Sequence, residues 1–151
     1  MEVAEQAAAV CYRWRGEQIE FLLVRTSDGH RWILPKGKRR LPELDWQTAQ
    51  REAYEEAGVY GEISQQPLTI FRHYKKNREL LVPTFLLKVE STHTPREQQR
   101  NPRWFTPEDA QSALSENRPL EYAEEFKRVI REACSVIKLG EGNTKREVSG
   151  F

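Results

Sequence analysis

Along most of the chain, apolar residues gather in short runs separated by polar turns. Residues 6–14 (QAAAVCYRW) and 19–25 (IEFLLVR) have strand length, and Arg15-Gly16-Glu17 between them reads as a hairpin turn. Thr26-Ser27-Asp28-Gly29 signals a loop, and Trp32-Ile33-Leu34 is a short apolar segment that stops at Pro35. Two more strands are predicted over 61–74 and 79–90, around the polar turn Lys75-Lys76-Asn77-Arg78. Pro83 in the second of them calls for an edge position or a bulge. A polar loop follows from Ser91 to Pro102, then a short strand at Arg103-Trp104-Phe105.

Helical signals occupy two places. Near the end, Thr106-Pro107-Glu108-Asp109 is a capped helix start. Beyond it Tyr122, Phe126, Val129, Ile130, Ala133 and Ile137 keep an apolar face at helical period from about Leu120 to Lys138. In the first half, a helix is predicted from near Asp45, an N-cap type residue, to Gly58, with Ala49, Ala53 and Ala57 as a small-residue stripe for close packing on a sheet. This order of elements predicts a mixed sheet with helices on both sides. The chain reads as one domain over 1–139, with 140–151 a mobile tail.

Composition narrows the class. Charged residues are 31% and the net charge is +1, which suits a globular protein and not one built to coat nucleic acid or membrane. Cys11 and Cys134 lack metal-ligand spacing and read as reduced thiols of a cytoplasmic protein. No apolar run approaches the roughly 18 residues of a membrane span. Nor does the start resemble a signal peptide, since Glu2 and Glu5 stand where basic residues belong.

The candidate chemistry lies on the first helix. Glu52, Glu55 and Glu56 fall three and four residues apart, so their carboxylates share a face. Such crowding of like charge is explained by a hard cation among them, Mg²⁺ or, alternatively, Mn²⁺. Gly37 precedes this region where a backbone must turn or approach a ligand closely. The residues Lys36, Lys38, Arg39 and Arg40 make the adjoining loop strongly basic, and Arg72-His73-Tyr74-Lys75-Lys76 adds further positive character. That suits a substrate with many phosphates, although Lys75, Lys76 and Arg78 read equally well as surface charges. Glu97 reads first as a surface glutamate, and Trp32 as a core residue.

The spacing Gly37, five residues, Glu43, seven residues, Arg51-Glu52-Ala53, one residue, Glu55-Glu56, one residue, Gly58-Val59 resembles the signature of the Nudix hydrolases. REAYEEAGVYG, RWFTPEDAQSAL and RPLEYAEEF look like two of its subgroups, the diphosphoinositol polyphosphate phosphohydrolases and the diadenosine polyphosphate hydrolases. The resemblance implies an α/β/α sandwich and metal-dependent hydrolysis of a phosphoanhydride in a polyphosphorylated small molecule. It implies Glu52 and Glu56 as principal metal ligands, with Glu55 and the Gly37 carbonyl beside them. Glu43 and Arg51 match the supporting pair, and the general base is either Glu97 or a glutamate of the signature. Arg40 and Pro42 stand where many members have glutamate and glycine, which removes one acidic contact. Lys36, Lys38, Arg39, Arg40 and His73 are the candidate substrate-binding residues. The competing expectations are an ADP-ribose or nucleotide-sugar pyrophosphatase, or a non-catalytic domain that binds nucleotide or RNA. No membrane or stable nucleic-acid partner is expected of a monomer or homodimer of this kind.

Overall fold

A computed structural model describes residues 4–149, with side chains over 4–140. The first hairpin forms as expected from β1 (Gln6–Arg15) and β2 (Gln18–Arg25), which pair antiparallel. The following strands are β3 (Trp32–Ile33), β4 (Lys36–Lys38), β5 (Val59–Ile63), β6 (Thr69–Lys75), β7 (Arg78–Thr92) and β8 (Arg103–Phe105). The helices are α1 (Asp45–Ala57), α2 (Pro107–Ser115) and α3 (Leu120–Ser149).

β3, β2, β1, β7 and β5 lie side by side in that order, while β4 pairs with β1, β6 with β7 and β8 with β2. β1 and β7 run parallel, from Ala8 opposite Thr84 to Tyr12 opposite Lys88. The sheet is therefore mixed. α1 lies on β1, β4, β5 and β7, whereas α2 and α3 pack on one another and reach β2, β3, β8 and β6. The result is the α/β/α sandwich.

Burial on both layers explains why the central strands carry no polar alternation. Residues Ala7 to Cys11 of β1 are fully buried, as are Phe21, Leu23 and Val24 of β2. The alanine stripe Ala49, Ala53 and Ala57 is buried under α1 and lets its backbone come close to β1. On the other layer Phe126 of α3 stacks on Phe71 of β6, 4.8 Å between ring centres. Trp32 is a core residue, edge-on to Phe105.

Three expectations need correction. The run 61–74 is two strands, β5 and β6, which pair with successive lengths of β7. Ser64-Gln65-Gln66-Pro67 breaks it: the Ser64 hydroxyl bonds Gln66 at both its N–H and carbonyl, and Pro67 has no N–H for a ladder. The N-cap position of α1 belongs to Leu44, and Asp45 is the first helical residue. Its carboxylate is drawn away to accept the Ala4 N–H (3.2 Å). Glu97 is no simple surface residue, as shown below. Pro83 pairs with Ile70 just before β7 meets β1 at Thr84, a local edge where its missing N–H is tolerated. The backbone of α3 continues helical through residues 140–149 of the segment expected as a tail. The tail's side chains beyond Gly140 and residues 150–151 lie outside the described residues.

Candidate active site

α1 begins with Gln47 Oε1 accepting the Leu44 N–H (2.8 Å) and ends at Gly58, whose left-handed φ of 68° favours glycine. A Cβ at Gly58 would also collide with the His93 carbonyl. Fixed at both ends, the helix presents Glu52, Glu55 and Glu56, each less than a tenth exposed, to a cleft of about 650 Å³.

Arg51 organises one side of this acidic face. Its Nε donates to Glu43 Oε2 (2.7 Å), Nη2 to Glu43 Oε1 (3.0 Å) and to the Lys38 carbonyl (2.8 Å). Nη1 donates to Glu52 Oε1 (2.7 Å) and Glu55 Oε2 (3.3 Å). Glu43 also accepts the Arg40 N–H and the Thr48 hydroxyl, and the Arg51 bond is the main reason its pKa falls to about 2. Arg51 therefore bonds three carboxylates at once, Glu43, Glu52 and Glu55.

Glu56 is held from the other side. Its Oε1 accepts the Lys36 N–H (2.9 Å), and Arg100 Nη2 stands 3.3 Å from Oε2. Burial outweighs both partners and raises the Glu56 pKa to about 8. Burial also raises Glu52, against the opposing pull of Arg51. A carboxylate pair that resists ionising is a pair that a divalent cation would stabilise.

Glu97, from the loop between β7 and β8, completes the group. One oxygen each from Glu52, Glu56 and Glu97 lie within 4.8 Å of one another. Glu55 stands beside this trio and not within it, because Arg51, Arg40 (3.5 Å) and Arg96 (3.8 Å) draw its carboxylate aside. The hard oxygen donors suit Mg²⁺ or Mn²⁺. Gly37 leaves room for this set, since a Cβ there would fall directly on the Glu52 carboxyl. Gly37→Ala is expected to displace that carboxylate and weaken Mn²⁺ binding about tenfold, with little loss of thermal stability, as paired Mn²⁺ titration and melting would show.

The rest of the lining is rich in cationic side chains. Lys36, Lys38, Arg40 and His73 line the cleft as expected; Arg39 does not, and its Nε is buried. Lys36 Nζ donates to the buried Gln6 (2.9 Å), and burial lowers its pKa to about 8. Burial, with Lys36 nearby, lowers His73 to about 3, so this residue meets a ligand as neutral imidazole. Among the lining residues that escape a reading of the sequence are Gln6, Arg31, Arg100 and Arg118. Arg118 follows Asn117, which bonds the His30 carbonyl (2.9 Å) and places the turn after α2 at the cleft. Burial and the neighbouring Arg31 lower the Arg118 pKa to about 10. No local motif marks these positions, which come from β1, two loops and the α2–α3 turn.

An acidic helix face at the base of a basic cleft, on this sandwich, defines a domain for handling phosphates with a cation. The NUDIX domain profile matches residues 4–128, and the chain belongs to the Nudix family. It is 35% identical over 130 residues to diphosphoinositol polyphosphate phosphohydrolase 3-alpha of Mus musculus, covering 82% of this chain and 77% of that protein. With the 3-beta protein of Homo sapiens it shares 31% over 132 residues, at the same coverage. The crystal structure of the C. elegans Ap4A hydrolase superposes with a TM-score of 0.70 at 28% identity, covering 90% of this chain and 99% of that one.

Proposed function

We propose that this protein uses a divalent cation, Mg²⁺ by preference, to hydrolyse a phosphoanhydride bond in a polyphosphorylated small molecule of the cytoplasm. The substrate class is a dinucleoside polyphosphate or a diphosphoinositol polyphosphate. The observation that carries this reading is the convergence of Glu52, Glu56 and Glu97 in a cleft that Lys36, Arg40, Lys75, Arg31 and Arg118 also line. A lone diphosphate needs no such length of positive surface, whereas a chain or ring of phosphates does. The names of the relatives support the same substrate class.

A bound cation there neutralises phosphate charge and activates water. The protein supplies the rest. Arg51 fixes Glu52, and the Lys36 amide with Arg100 fixes Glu56, so the ligand oxygens are in place beforehand. Arg40, Arg31, Lys75 and Arg118, which line the same cleft, hold the phosphates beside the carboxylates. Glu55 lines the cleft outside the oxygen trio and is the carboxylate left to take the proton as water attacks phosphorus and the phosphate leaves.

Phosphate or nucleotide release from a panel of dinucleoside polyphosphates, diphosphoinositols, ADP-ribose and nucleotide sugars, with and without Mg²⁺, tests this reading. Turnover is expected on the first two classes and only with the cation. Turnover confined to ADP-ribose or nucleotide sugars would replace the substrate class, and none on any compound would make the domain a binding module.

The pKa shifts give an independent handle. Glu56 has its folded pKa raised from 4.5 to about 8, so its stabilising contribution is full below pH 4.5 and lost as pH rises through 8. Lys36 has its folded pKa lowered from 10.5 to about 8, so its contribution is present above pH 10.5 and lost as pH falls through 8. Taken together, the contributions of these two groups in the cation-free protein are smallest near pH 8. Mg²⁺ should therefore raise Tm more at pH 8 than at about pH 5.5, where it must first displace the Glu56 proton. Equal shifts at the two pH values would remove Glu56 from the ligand set.

A further inference from the structure

Glu97 differs from its two partners in the oxygen trio: it sits on a loop, not on a helix. Its backbone N–H donates to the Glu55 carbonyl (3.0 Å), which ties the loop to the end of α1. That bond leaves the side chain to swing. The hydrogen bonds to its carboxylate come from Arg100, whose Nε and Nη2 both donate to Oε1 at 3.1 Å. A short 3₁₀ turn, Gln98–Arg100, starts just after Glu97 and ends at Arg100, and side chains three apart eclipse in that geometry.

Arg100 is itself anchored. Its side chain is only 17% exposed, its Nη1 donates to the Arg25 carbonyl at the end of β2 (3.2 Å), and its Nη2 also faces Glu56 Oε2. One planar guanidinium thus connects β2, α1 and the loop. Both of its bonds to Glu97 use Oε1, which leaves Oε2 available as a ligand. We propose that Arg100 is a positioning residue that delivers the loop carboxylate of Glu97 to the cation site on α1. The proposal rests on the cation-dependent reading above and adds to it the residue that completes the site.

Charge and geometry make opposite forecasts here. A positive group beside a cation site repels the cation, so charge alone requires that removing Arg100 tighten binding. Positioning requires the reverse. Lysine keeps the charge but replaces the fixed fork of donors by a single ammonium on a flexible stem.

The test is Mn²⁺ titration of the full chain, followed by electron paramagnetic resonance, for wild type, Arg100→Lys, Arg100→Gln, Glu97→Gln and the Arg100→Lys/Glu97→Gln double variant. Both Arg100 variants are expected to bind Mn²⁺ about tenfold more weakly, as loss of an outer support commonly does. The double variant should lose less than the product of the two single losses, since part of the Arg100 effect acts through Glu97 and only the contact with Glu56 is separate from it. Unchanged or tighter binding in the Arg100 variants would overturn the proposal, and so would losses that multiply in the double variant. If wild type bound no Mn²⁺, the cation reading would fall and this proposal with it. Binding by wild type with unchanged Arg100 variants would remove this proposal alone.

Discussion

Glu56→Gln is expected to cut turnover by about two to three orders of magnitude while leaving the protein folded. Glutamine keeps an oxygen for the Lys36 N–H, so the link between α1 and the start of β4 survives. It loses the second anionic oxygen, which faces Arg100, and with it the negative charge that Glu56 brings to the group with Glu52 and Glu97. The stability effect should run the other way. Burial raises the Glu56 pKa to about 8, so the ionised side chain burdens the cation-free fold and a neutral isostere relieves it. Melting of the cation-free protein at pH 8 should therefore occur at a temperature no lower than in wild type. Glu55→Gln provides the contrast, since Glu55 stands outside the trio: turnover falls but Mn²⁺ affinity holds. Near-normal rates for Glu56→Gln would show that the ligand has been misassigned.

Arg51→Met should be the most destabilising single change at the site. One guanidinium, 17% exposed, satisfies Glu43, Glu52 and Glu55 and the Lys38 carbonyl together. Its removal leaves three poorly solvated carboxylates facing one another, and breaking a buried ion pair from one side costs about 3 kcal/mol. Lysine restores the charge but cannot bridge four acceptors in one plane, so Arg51→Lys should recover only part of the loss. Urea denaturation with an unchanged m-value would measure both. A loss below about 1 kcal/mol, the range of exposed pairs, would mean that water already screens the cluster.

These two residues were legible in the sequence for different reasons. Glu52 and Glu56 are four apart on a helix whose cap and alanine stripe are visible, so their common face follows from helical period. Glu43 and Arg51 are joined by a fixed offset that only the family signature made meaningful. The expected company of Glu55 shows where period stops. Three and four apart gives one face, but Arg51, Arg40 and Arg96 decide where each carboxylate points, and they turn Glu55 out of the trio. Glu97 lies more than forty positions from Glu52 in sequence, in a polar loop with no periodicity, so its exposed appearance misled. The break between β5 and β6 was missed because Ser64-Gln65-Gln66-Pro67 interrupts a run whose flanks are equally strand-like.

From the residues alone came the strands of the first hairpin, the acidic helix, the capped C-terminal helices and the basic character of the loop after Gly37. All of these are local: alternation, period, caps and charge act over a few residues and need no partner. Tertiary structure alone decided that β1 would lie parallel to β7 and that the β7–β8 loop would come to rest against the end of α1. It also decided that Arg118, Arg31 and Gln6 would line the same cleft as the carboxylates. Those choices depend on which buried surfaces fit together across the sheet, and side chains brought close by packing carry no mark of it in their own neighbourhood of the chain.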